Sequence, residues 1–247
     1  MWPPTNLEVL ARTTFAEHHD SVVTILTKER ESPTKLSAIG SGFIIRSSGS
    51  RCLVMACRHV FRHFDPAKHT MHARLSGQHL ELDAEVMRLD DARDLMLIRV
   101  VGMPRAYPAL EFCDCSNVPD RGDVVLLAFF STYALVFLDP GVLPGNISAP
   151  PQETNGVVHH TCVGTSGCFG GPLIFDGRVI GVYNGIKSRT GFSASAETVN
   201  AAMKDWLHIP PGLSHQNHWG DGTKPPYLNF LIDFWTKLIR SDSVGLC

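Results

Sequence analysis

The sequence predicts a mainly β protein, an antiparallel barrel or sandwich, with C-terminal helices. Two observations carry this. Short apolar runs rich in Val, Ile, Leu and Phe recur from Ser21 to Tyr183, separated by Gly, Pro, Ser and Asp. Helical periodicity becomes regular only from Ala196 onward. Many short strands with turns between them argue against an α/β sheet.

Taken along the chain, residues 1–20 contain Pro3, Pro4 and scattered polar residues, which suits an N-terminal arm or a short helix over Leu7–Glu17. Strands are expected at Val22–Leu26, Gly42–Ile45, Cys52–Ala56, Met96–Val101, Val124–Phe129, Ala134–Leu138, Gly156–His160, Pro172–Phe175 and Val179–Tyr183. Ser48-Gly49-Ser50, Arg121-Gly122-Asp123, Pro140-Gly141 and Asp176-Gly177 supply turns. The last is the sharpest hairpin signal, because Asp and Gly both tolerate positive φ, and it pairs Ile174 with Val179. Ala196–Leu207 and Tyr227–Arg240 carry helical spacing, the second with Leu228, Leu231, Ile232, Trp235 and Leu238 on one face. The Pro- and Gly-rich stretch between them reads as an irregular connection.

Composition narrows the function classes. A chain of 247 residues with 44% hydrophobic and 19% charged residues suits one soluble domain with a sizeable core. It has no apolar run long enough to span a bilayer. A net charge of -2, without a basic run interleaved with aromatics, disfavours nucleic acid as a partner. Seven cysteines form an odd set without a disulfide framework's spacing, and residues 1–4 do not open a secretory signal. Free thiols and an intracellular setting, cytoplasmic or nuclear, are expected. Twelve histidines prompt a search for metal ligands, but His18-His19, His159-His160 and Cys113-Asp114-Cys115 do not reproduce zinc-module spacings, so no metal is expected.

Three blocks in chain order carry a more specific signal. Gly40-Ser41-Gly42-Phe43-Ile44-Ile45 precedes Leu53-Val54-Met55-Ala56-Cys57-Arg58-His59-Val60. Ala92-Arg93-Asp94-Leu95-Met96-Leu97-Ile98 follows. Then come Gly164-Thr165-Ser166-Gly167-Cys168-Phe169-Gly170-Gly171-Pro172-Leu173 and Arg178-Val179-Ile180-Gly181-Val182. Together they resemble the signature blocks of the trypsin-like (chymotrypsin-fold) serine and cysteine proteases, in the style of the intracellular HtrA/Deg-like branch. The resemblance implies two antiparallel β-barrels, at roughly 21–110 and 111–207, with residues 208–247 following as connection and helix. It also implies a peptide or protein substrate and no cofactor.

Under this resemblance His59 takes the place of the catalytic base and Asp94 that of the carboxylate that orients it. Peptide hydrolysis further needs a hydroxyl or thiol to attack the scissile carbonyl. Aligning Gly170-Gly171-Pro172-Leu173 with the family's Gly-Gly-Pro-Leu puts Phe169 at that position, and a phenyl ring cannot attack. Three states stay open: no nucleophile, Cys168 brought in by a one-residue shift of the loop, or Ser166 with three extra residues absorbed before Gly170. The amides of Gly167 and Phe169 correspond to the family's oxyanion hole, which depends on the main chain alone. In the same register Val163 lies near the base of the specificity pocket and Asn184-Gly185-Ile186 lines the substrate cleft, favouring an uncharged or apolar guest.

Overall fold

The structure is a computed structural model that describes residues 5–114, 119–131, 139–150 and 154–206. Among these, the strands close into two six-stranded antiparallel barrels. The first contains β1 (Val22–Glu29), β2 (Leu36–Ser48), β3 (Arg51–Cys57), β4 (His69–Leu75), β5 (Glu81–Asp90) and β6 (Leu95–Val101). The second contains β7 (Asp123–Ala128), β8 (Gly141–Ala149), β9 (Val157–His160), β10 (Pro172–Phe175), β11 (Arg178–Lys187) and β12 (Thr190–Ser195). Around the first barrel the order is β1-β2-β3-β6-β5-β4, and around the second β7-β8-β9-β12-β11-β10. The two are the same topology, although no repeat is visible in the sequence.

β-branched and aromatic residues on alternating faces explain both the barrels and their docking. Val23, Ile25, Ile44, Val54, Met96 and Ile98 fill the first barrel. Their neighbours Val22, Phe43, Ile45, Met55, Leu95 and Leu97 face the other way, into a cluster shared with Phe112, Val124, Leu126, Leu173 and Val182. The chain crosses between barrels along this seam, where the Leu110 amide donates to Ile44 and the Cys113 amide to Val179. A common apolar core therefore fixes one barrel against the other.

Asp176 and Gly177 turn with φ of 46° and 71°, and Ile174 pairs with Val179 across that hairpin, as the turn residues require. The N-terminal segment is helical rather than loose. Thr5 and Glu8 form a reciprocal capping box at the start of α1 (Asn6–His18), whose Ala11 and Thr14 are buried as it packs on β7 and β8. α2 (Ala196–Trp206) buries Ala196, Val199, Ala202 and Met203 along one face. Among the described residues no helix is long and apolar enough to cross a membrane.

Four strands, β4, β5, β8 and β12, are absent from the sequence expectation. β4 and β5 carry His, Arg, Glu and Asp between their apolar positions, and β8 contains Pro144 and Gly145. β12 is dominated by small residues. The strand expected at Ala134–Leu138, the helix at Tyr227–Arg240 and the connection before it lie outside the described residues.

Candidate functional site

β3 and β6 are antiparallel neighbours in a register that pairs Cys57 with Leu95. The residues just beyond that pair therefore meet at one end of the barrel. The Arg58 amide extends the ladder by donating to the Asp94 carbonyl at 3.2 Å. Asp94 itself takes φ of 56°, a left-handed conformation that Asp tolerates better than most residues. Its Oδ1 accepts from the backbone amides of Arg58 at 3.0 Å and His59 at 2.6 Å. Its Oδ2 lies 2.7 Å from His59 Nδ1.

A third side chain reaches the carboxylate from the other barrel. Asn184, at 7% exposure, donates from Nδ2 to Asp94 Oδ2 at 2.7 Å and to the Asp94 carbonyl at 3.1 Å. Its Oδ1 accepts from the Ala194 amide at 2.6 Å, so the carboxamide is fixed at both ends. Burial pushes the Asp94 carboxyl upward, but the hydrogen bonds from His59 and Asn184 outweigh it and hold the group below its ordinary value.

The turn at 164–171 approaches the same end of the first barrel. Gly167 and Gly170 adopt φ of 91° and 92°. Ser41, the centre of Gly40-Ser41-Gly42, clamps the turn: its amide donates to the Phe169 carbonyl at 2.8 Å and its Oγ to the Gly167 carbonyl at 2.6 Å. The same Oγ accepts from the Phe129 amide at 2.8 Å. A side chain at Gly170 has no room, since its Cβ would stand 2.1 Å from the Ser41 carbonyl oxygen. Among the described residues no backbone carbonyl accepts from the Gly167 or Phe169 amide. The sequence carries no mark of this role for Ser41, which stands there only as the middle residue of Gly40-Ser41-Gly42.

Phe169 presents its ring to His59 in an edge contact, with centroids 5.2 Å apart and planes at 68°. It also stacks on Tyr183 at 5.8 Å and 10°. Cys168 points elsewhere. It is fully buried, its sulfur packs beside Gly164 in a niche shared with Tyr183, and burial pushes its thiol up to about 11. Ser166 is exposed, its carbonyl accepts from the Ser131 amide, and among the described residues no hydrogen bond joins it to His59. Val163 and Ile186 are each 41% exposed, and Gly185 lies buried against the Phe192 ring. The structure thus brings His59, Asp94, Asn184 and Phe169 together, while Cys168 and Ser166 stand apart from the imidazole.

An imidazole whose Nδ1–H is held by a carboxylate can take a proton at Nε2 and return it. That unit is assembled here, but the side chain set against it is a hydrocarbon. Among the described residues no three His, Cys, Asp or Glu side chains gather into a group that could hold a metal ion.

Residues 40–182 match the family model described as trypsin-like peptidase domain, a span that contains His59, Asp94 and the Phe169 turn. No curated protein matches the chain. Among solved structures, the crystal structure of the serine endoprotease from Yersinia pestis superposes with a TM-score of 0.65 at 18% identity. The match covers 84% of this chain and 69% of that one, and at this identity it is a likeness of fold.

Proposed function

Since the chain belongs to the trypsin-like peptidase family, we propose that it is a member without a working nucleophile, one that binds a peptide or protein segment in the family's cleft without cutting it. The observation that carries this reading is the contact of the Phe169 ring with His59, at the point where an attacking oxygen or sulfur belongs. Cys168 does not replace it. A thiol held near 11 is thiolate in roughly one molecule in ten thousand at neutral pH, and its sulfur is enclosed.

A cleft for an extended segment is supported by β11. Past Tyr183 it pairs with β12 on one side through Lys187, and among the described residues no strand pairs with its other side at 185–187. A peptide strand can add to such an edge. The exposed Val163 and Ile186 side chains favour an uncharged or apolar residue there. An intracellular setting, cytoplasmic or nuclear, goes with this reading, supported by the buried thiols of Cys52, Cys57, Cys162 and Cys168, none of which is in a disulfide.

The test is chemical labelling. The purified protein is treated with a fluorophosphonate and, separately, with a thiol-reactive probe, alongside a His59→Ala variant. No labelling that depends on His59 is expected. Labelling of Cys168 or Ser166 that His59→Ala abolishes would reveal a working nucleophile, as an active endopeptidase requires, and overturn the proposal.

A further inference from the structure

The turn that presents Asp94 is tied to the second barrel at a second place, away from Asn184. Arg93, the residue before Asp94, donates from its amide to Asp90 Oδ1 at 2.9 Å and from Nη1 to Asp90 Oδ2 at 2.7 Å. Its other terminal nitrogen, Nη2, lies 2.6 Å from Asp205 Oδ2 on the last turn of α2. One guanidinium therefore bridges the end of β5 in the first barrel and the helix that follows β12 in the second. β12 also supplies the Ala194 amide that fixes Asn184.

We propose that Arg93 is a positioning residue, holding the Asp94 turn against α2 so that the Asp94 carboxylate stays aligned on His59 only while the Arg93–Asp205 link is closed. The need follows from the backbone. Asp94 sits in a left-handed conformation that relaxes unless its neighbours fix it, and its carbonyl and both carboxylate oxygens are all committed in that conformation. Arg93 is covalently the nearest residue able to hold it, and a planar fork that engages two carboxylates restricts orientation as well as distance. An ion pair with one partner 62% exposed contributes little to global stability, so the proposal is tested on the geometry at His59 rather than on unfolding. The inference rests on reading His59 and Asp94 as the family's acid–base pair, but not on the loss of the nucleophile.

The experiment measures the tautomer of neutral His59 by imidazole ¹⁵N shifts in the full chain, comparing the parent protein with Arg93→Gln, Asp205→Asn and the double variant. Alignment on Asp94 favours the Nδ1–H form. The Nε2–H fraction is expected to rise at least about threefold in each single variant, and no further in the double, because both remove one link. Arg93→Lys should recover part of the parent value. Asp205 is exposed, so Asp205→Asn keeps the test decisive even if Arg93→Gln folds poorly. A folded Asp205→Asn protein with the parent tautomer ratio overturns the proposal. In a Phe169→Ser background that cleaves peptide, Asp205→Asn should lower kcat with KM unchanged. An inert Phe169→Ser protein bears on the nucleophile reading alone, and the ¹⁵N measurement still decides this one.

Discussion

Asn184 Nδ2 stands 2.7 Å from Asp94 Oδ2, so a carboxamide from the second barrel holds the carboxylate that the first barrel presents to His59. Removing it leaves Asp94 with one side-chain donor and strands the Ala194 amide, which is buried. Asn184→Ala is expected to cost about 1–3 kcal/mol in urea unfolding at pH 7. It also raises the Asp94 carboxyl toward its ordinary value, read by carboxyl ¹³C titration. The sign follows from the depressed folded-state value: the stabilisation is present above the unfolded pKa and is lost as pH falls through the folded one. The cost of the substitution therefore shrinks on acidification below about pH 4.

Gly170 combines positive φ with a position where Cβ would meet the Ser41 carbonyl oxygen at 2.1 Å and the Cys57 amide nitrogen at 2.9 Å. Both obstacles are backbone of the other barrel and cannot swing aside. Gly170→Ala is expected to destabilise by more than about 3 kcal/mol, with a clear drop in the urea midpoint. Gly49, at φ of 59° with open space around it, is the control, since Gly49→Ala meets the conformational cost alone, about 1–2 kcal/mol.

These contacts show why only part of the site was legible beforehand. His59 and Asp94 flank strands with strong local apolar patterns, and the pairing of β3 with β6 brings them together. Ser41 and Asn184 have no such local mark, because their roles come from contacts 126 and 90 residues away in sequence. The reading of Asn184 as cleft lining follows the register of the family resemblance, whereas the contact its side chain makes is with Asp94. The barrels themselves were legible where strands bury both faces. β4 and β5 alternate polar and apolar residues and bury one face only, so they lack the continuous apolar run that marks the other strands.

Phe169 packs against the site, through its contacts with His59 and Tyr183. Phe169→Ser is expected to lose about 2 kcal/mol of stability through the missing ring. In return it sets a hydroxyl near the imidazole, and fluorophosphonate labelling at position 169 that requires His59 is the expected outcome. A folded but unlabelled variant would mean that the turn does not direct residue 169 to His59 in solution.

His160 offers a pH test away from the site. It is fully buried on β9, with Nε2 2.9 Å from Ser193 Oγ, and burial, with a smaller contribution from His159, pushes its pKa down to about 3. Unfolded, the same ring titrates near its ordinary value of about 6.5. Between these values the unfolded chain binds a proton that the folded chain refuses, so stability is complete above about pH 6.5 and falls with acidification by up to about 1.4 kcal/mol per pH unit. His160→Gln keeps a polar partner for Ser193 but cannot take up that proton. Its unfolding free energy, from urea titrations between pH 6 and pH 4, is therefore expected to show a shallower slope than the parent's. Equal slopes would show that His160 accepts a proton in the folded barrel, which its enclosure against Tyr183 and Gly191 argues against.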